Sequence, residues 1–289
     1  MNIQFSLDAS TQPLLAILVN EDNINAVLSE DCFSEHLLGW ASDADFTGKD
    51  GSSVTFPSAA LKVAGSVKSV ILVGGTDERT AAGSVGYIAK EKGFTGVSLF
   101  NFSNTEVAVA QCIIGNYRYE PYKKDRKASL ESITLVTEDN AGAAARGVTV
   151  ANARNFSRDL VNAPADDIYP ESLADAAMGL ASDNVTVEVW GVEKLESENM
   201  VGTLAVGRGS SRPPRFIQLH YTPTNKDENT KKVVLVGKGI TFDAGGLSLK
   251  PSAGMLTMRC DMGGSAVVMG VFHALQALQP NIEVYGLIG

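Results

Sequence analysis

Residues 236–264 read VGKGITFDAGGLSLKPSAGMLTMRCDMGG, and the fold and chemistry of the chain are read outward from here. Just before lies a compact apolar run, residues 232–236, which predicts a strand. Just after lie residues 263–278, small and apolar over a helical length. A strand, a glycine-rich loop and a helix in that order fit an open α/β sheet, whose ligands gather beyond the carboxyl ends of the strands. The 29 residues hold seven glycines, two lysines and two aspartates. Asp243 and Asp261 are hard oxygen donors suited to divalent cations. Lys238, between two glycines at a strand end, is expected to be a constrained, buried ammonium, and in that setting a lysine can act as a neutral amine ligand. Lys250, ahead of Pro251, is a fixed cation suited to a developing oxyanion. Plainer readings stand beside these. Asp261 would equally serve as N-cap of the following helix, and Lys250 as a surface lysine. The Walker pattern is absent around Lys238, which argues against a phosphate cradle.

Upstream, residues 14–19, 69–73 and 96–100 predict strands, residues 59–64 and 80–92 predict helices, and the alternation predicts a parallel-rich α/β domain over residues 1–125. Residues 117–127 are charged and aromatic and read as a connection. Residues 140–160 predict a long helix, with Val150, Ala153, Phe156 and Leu160 at helical spacing, closed by Asn162-Ala163-Pro164. The expected organisation is an N-terminal α/β domain (1–125), a connecting segment with the long helix (126–160) and a second α/β domain (161–289). In the second domain, residues 170–180, 192–198 and 263–278 predict helices. Residues 185–189, 215–221, 232–236 and 282–288 predict strands. The last of these is expected to present an exposed sheet edge.

The chain has 289 residues and a formal charge of −9. That charge opposes nucleic acid and anionic lipid as general partners, and the basic cluster Lys123, Lys124, Arg126 and Lys127 reads as a solvated loop. Cys32, Cys112 and Cys260 are sparse and odd in number, which fits a reducing compartment. No apolar run approaches the ~18 residues of a membrane span, and the N-terminus lacks a signal-peptide pattern. The expectation is a cytoplasmic protein that binds neither membrane nor nucleic acid. His36, His220 and His273 are scattered and read as surface or helix-face residues. Asp77-Glu78-Arg79 and Asp227-Glu228 read as solvated turns.

The glycine-rich stretch resembles the signature of the leucyl aminopeptidase family of di-metal cytosol aminopeptidases. The resemblance extends to Arg158-Asp159-Leu160-Val161-Asn162-Ala163-Pro164, Tyr169-Pro170-Glu171-Ser172, Leu204-Ala205-Val206-Gly207-Arg208-Gly209-Ser210 and Pro213-Pro214-Arg215. It implies that Lys238, Asp243 and Asp261 are metal ligands, that Lys250 is the catalytic lysine, and that Met258 lines the site of the first substrate side chain. It also implies a catalytic domain with a mixed, largely parallel central sheet, two divalent ions (manganese or zinc), peptide substrates with leucine-like N-terminal residues, and a homohexamer. The family's second ligand cluster, Asn-Thr-Asp-Ala-Glu-Gly-Arg, lies roughly 60 residues beyond the third ligand, outside residues 1–289. The resemblance therefore implies an incomplete, C-terminally truncated catalytic domain holding at most one ion. This chain is then expected to be inactive alone. A non-catalytic member acting as a binding or oligomer partner is the alternative.

Overall fold

The computed structural model describes residues 1–289 except Val63, Ala64 and Lys127. The chain divides into two compact units, Met1–Ala151 and Asn152–Gly289.

The first unit is built on six strands: β1 (Asn2–Phe5), β2 (Leu14–Val19), β3 (Ser53–Pro57), β4 (Ser69–Gly74), β5 (Gly96–Phe100) and β6 (Ser132–Val136). Their order is β1-β6-β5-β2-β4-β3. Every pairing is parallel except β3 with β4. The helices are α1 (Ile24–Leu28), α2 (Leu37–Asp43), α3 (Glu78–Lys92), α4 (Thr105–Asn116) and the start of α5 (Ala141–Asn162), within which the division between units falls. The unbroken apolar run of β2 has a simple cause. Successive side chains alternate faces, and both faces are covered. Leu14, Ala16 and Leu18 join a core with Ile71, Val97 and Leu99. Leu15, Ile17 and Val19 join another with Val70 and Leu72. Helices α3 and α4 approach closely because Gly86 and Gly115 carry no Cβ. One added at either would lie 2.0 Å from the Cys112 carbonyl oxygen or 2.1 Å from that of Gly83.

Some expectations shift here. Asp77 and Arg79 are exposed, as expected, but with Glu78 they form the start of α3 and not a turn. Asp77 caps α3, accepting from the amides of Arg79 and Thr80, and Glu78 accepts from the Ser103 and Asn104 amides. Of the helix expected at 59–64, residues 59–60 belong to a 3-10 turn, Ser58–Ala60, and Leu61 and Lys62 are not helical; Val63 and Ala64, like Lys127 of the basic cluster, lie outside the described residues. Residues 132–136, within the expected connection, form β6 of the first sheet.

The second unit holds the rest of α5, then α6 (Pro170–Met178), β7 (Val185–Trp190), α7 (Val192–Ser197), α8 (Val201–Gly207), β8 (Phe216–Tyr221), β9 (Lys232–Gly237), α9 (Ser252–Met255), α10 (Gly263–Leu278) and β10 (Glu283–Ile288). The strand order is β7-β8-β10-β9. The sheet is mixed, as expected. The largely parallel character does not hold for these strands: β7–β8 and β8–β10 are antiparallel and only β9–β10 is parallel. A parallel pair needs a crossover, and α10 supplies it between β9 and β10. Strand β10 lies inside the sheet, so the edge expected there belongs to β9. The core gathers Leu160, Leu173, Ile217, Leu219, Ala266, Met269, Phe272 and Val284. No helix among the described residues is long and apolar enough to cross a membrane.

Candidate metal and catalytic site

The site is built where β9 gives way to its loop and α10 begins. Gly237 and Gly264 face each other across that junction. A Cβ on Gly237 would stand 2.8 Å from the Gly264 carbonyl oxygen, and one on Gly264 would stand 2.8 Å from the Lys238 amide nitrogen. Two bare backbones can therefore touch, and the Ser265 amide donates to the Lys238 carbonyl at 2.9 Å. This contact fixes the backbone of Lys238 beside the short 3-10 helix Met258–Met262, which carries Asp261.

From there Lys238 Nζ donates to Asp261 Oδ1 at 2.7 Å. The Lys238 side chain is 58% exposed, so the buried ammonium expected from its flanking glycines is not observed. Gly237 serves the backbone contact instead, and Gly239 packs against Ile288 and Gly289. Asp261 is the more enclosed partner, 18% exposed. It does not cap α10, whose N-cap is Met262 without a side-chain bond.

Asp243 lies five residues beyond Lys238, followed by Gly245 and Gly246 at φ +93° and +73°. This left-handed turn requires glycine: a Cβ on Gly245 would meet the Ser248 carbonyl oxygen at 2.4 Å. The turn brings the Gly245 amide to Asp243 Oδ1 at 2.9 Å and the Lys250 amide to the Ala244 carbonyl at 2.9 Å. Lys250 is thereby folded back. Its Nζ donates to Asp243 Oδ2 at 2.6 Å and contacts Met258 Sδ at 3.0 Å. With its side chain 31% exposed, Lys250 is half-buried, not a free surface lysine. The hydrogen bond from Lys250, then that from the Gly245 amide, holds the Asp243 carboxyl below the usual aspartate value, and the charge of Lys238 acts in the same direction.

The structure thus gathers all five residues singled out in the sequence, as two lysine–aspartate pairs with Met258 against the second lysine. Asp261 Oδ2 is buried and has no hydrogen-bond partner. A buried carboxylate oxygen left bare is unfavourable unless something binds it. Two carboxylates, one with a bare oxygen, and an adjacent amine have the donor chemistry for one divalent cation. Among the described residues, no group of three or more His, Cys, Asp or Glu forms a metal-holding cluster. The reciprocal glycines 237 and 264 are functional positions not singled out in the sequence; their signal is a glycine at each end of one strand–loop–helix connection. His220, expected at the surface or on a helix face, is a strand residue bonded to Glu283 at 2.8 Å. His273 does lie on a helix, packed 5.2 Å from the Phe156 ring.

The chain is similar to known proteins. Residues 155–289 match the profile described as "Cytosol aminopeptidase family, catalytic domain". A probable cytosol aminopeptidase of Aquifex aeolicus is 39% identical over 189 residues, covering 64% of this chain and 38% of that protein. One of Micrococcus luteus is 43% identical over 159 residues, covering 54% and 31%. The chain therefore spans well under half the length of these relatives. Among solved structures, the cytosol aminopeptidase of Coxiella burnetii superposes with a TM-score of 0.76 at 26% identity, covering 99% of this chain and 60% of that one. The bottromycin maturation enzyme BotP in complex with Mn gives 0.77 at 27%, covering 96% and 59%. A tomato leucine aminopeptidase mutant gives 0.82 at 24%, covering 100% and 62%, a likeness of fold. The profile match covers the unit that carries the paired lysines and aspartates, and this unit is similar to the catalytic domain of the cytosol aminopeptidase family.

Proposed function

We propose that this chain carries part of the machinery of a metal-dependent aminopeptidase that releases leucine-like N-terminal residues from peptides. The observation that carries the reading is the pairing of Lys238 with Asp261 and Lys250 with Asp243, with one Asp261 oxygen buried and bare. Lys238, Asp243 and Asp261 would hold one divalent ion, manganese or zinc. Such an ion, when bound, polarises a carbonyl and makes water a nucleophile at neutral pH.

The chain's own residues would do the rest. Asp243 would be one of the residues holding the ion, and Lys250, whose ammonium now donates to Asp243, would donate to the carbonyl oxygen of a bound peptide as negative charge develops there. Met258, in contact with Lys250, offers a polarizable apolar surface to the first side chain. The hydrogen bond from the Gly245 amide holds the Asp243 carboxylate in place throughout. Assembly into a homohexamer with cytoplasmic residence is part of the same proposal and rests on the family resemblance.

A two-ion site needs more carboxylates than Asp243 and Asp261, so one ion per chain is expected, bound weakly, and residues 1–289 alone are not expected to hydrolyse leucyl substrates. The same observation favours a second reading, a non-catalytic member that binds partners or subunits. Two measurements on the purified chain separate the readings: metal content after dialysis against Mn²⁺ or Zn²⁺, and release of leucine from a leucyl peptide. Metal-dependent turnover by this chain would overturn the second reading. Two tightly held ions per chain would overturn the ligand assignment. One ion lost in Asp261→Asn, without turnover, is the expected result.

A further inference from the structure

At the opposite end of β9 and β10 from Lys238 lies a second cluster that the proposed chemistry does not use. Glu283, the first residue of β10, has a side chain 0% exposed. Three donors converge on its Oε1: Lys226 Nζ at 2.6 Å, His220 Nε2 at 2.8 Å and the Tyr285 hydroxyl at 2.9 Å. They come from the β8–β9 loop (residues 222–231), from β8 and from β10 itself. The Lys232 ammonium, at the start of β9, stands 3.8 Å from Oε2. These are the titratable and charged groups that face Glu283 among the described residues. The His220 and Tyr285 rings are stacked at 4.2 Å, 8° from parallel, so two of the donors are fixed by each other.

We propose that Glu283 is an acid-releasable latch that straps the 222–231 loop to the start of β10 through Lys226. Lys226 is the loop's bond to this carboxylate, and its own side chain is 42% exposed. The other oxygen shows where a proton would arrive. Oε2 is buried and accepts no hydrogen bond, so protonation there displaces no donor yet cancels the charge that makes the Oε1 bonds strong. The bonds from Lys226, then His220, and then Tyr285 against the opposing effect of burial, hold the Glu283 carboxyl down at about 2, from an ordinary 4.5. A depressed value means the latch is complete above pH 4.5 and is lost as pH falls from there through about 2.

Hydrogen exchange on the full chain, corrected for intrinsic rates, tests this at pH 7 and in steps from pH 5 to 2.5. In the wild type, protection of residues 222–231 is expected to fall below pH 4.5, ahead of the sheet core, as expected for local opening. In Glu283→Gln the loop should already exchange about tenfold or more faster at pH 7, and its acid step should shrink to what the loop's own Asp227 carboxylate, bonded to the Asn229 amide and the Thr230 hydroxyl, contributes. Lys226→Met removes the strap and keeps His220 and Tyr285 on Glu283. It should loosen the loop at pH 7 while leaving β10 protected, and it carries the test if Glu283→Gln does not fold. A wild-type loop whose exchange has no acid step, or a loop equally protected in wild type and Lys226→Met at pH 7, overturns the proposal.

Discussion

Replacing Gly264 by alanine tests whether the backbone contact between β9 and α10 holds the site. The new Cβ would stand 2.8 Å from the Lys238 amide nitrogen and 3.4 Å from its carbonyl oxygen. Both neighbours are backbone, so no flexible side chain can yield, and strand and helix must part by roughly 0.6 Å to reach ordinary contact. That movement also stretches the Ser265 to Lys238 hydrogen bond. Overpacking of this kind costs about 1–3 kcal/mol. Alanine for glycine in a helix returns at most about 1 kcal/mol, less in the first turn where Gly264 sits. The clash wins, with a net loss of about 1–2 kcal/mol. For a unit of this size that lowers the melting temperature by roughly 3–8 °C. Calorimetry should show the drop, and Mn²⁺ titration should show weaker binding, because Lys238 and Asp261 lie on opposite sides of the widened gap. Gly202→Ala is the control, since its Cβ would meet nothing within 4 Å; it should be neutral or slightly stabilising. A Gly264→Ala chain that melts like wild type and binds Mn²⁺ equally would refute the argument.

Further outcomes follow from the same geometry. Lys250→Met removes the first cause of the depressed Asp243 value, so carboxyl NMR should show the Asp243 titration moving up toward the ordinary range. Because the native value is lowered, the stability this pair adds is present above that range and fades as pH falls; the variant should lose that part of the acid dependence, and an unmoved Asp243 titration would contradict the pairing. Strand β9 is a sheet edge with Val234 57% and Val236 78% exposed, and bare apolar edges associate. Sedimentation should show concentration-dependent self-association, reduced in Val236→Lys, while a monomer at all concentrations would count against it.

What could be read in advance depended on whether an element's signal is local. β2 and β4 were legible because strands buried on both faces are unbroken apolar runs of strand length. Helix α4 was not: eight of its residues from Ala108 to Asn116 are buried, and a helix covered nearly all round has no polar face to mark its period. β1 and β3 are edges of the first sheet, short and half-polar, and their pairing with β6 and β4 is fixed by distant residues. At the site, glycine and charge spacing indicated which residues matter, but not their pairing. Lys250 reaches Asp243, and not Asp261, because the left-handed turn at Gly245 and Gly246 folds the loop back on itself.

The Glu283 cluster shows the limit most sharply. His220 and Glu283 are 63 positions apart, and nothing near either announces the other. Their meeting follows from register: in the antiparallel β8–β10 pair, His220 stands directly opposite Tyr285, where cross-strand side chains sit close enough to stack. Glu283, two residues before Tyr285, projects on the same face of β10, within reach of the same histidine. A slip of one residue would send Tyr285 and Glu283 to opposite faces from His220 and dissolve the cluster. The core forbids that slip, because it would carry either Val284 of β10 or Leu219 and Tyr221 of β8 out of the core. The apolar residues thus set the register, and the register assembles a polar cluster that neither strand's sequence specifies alone.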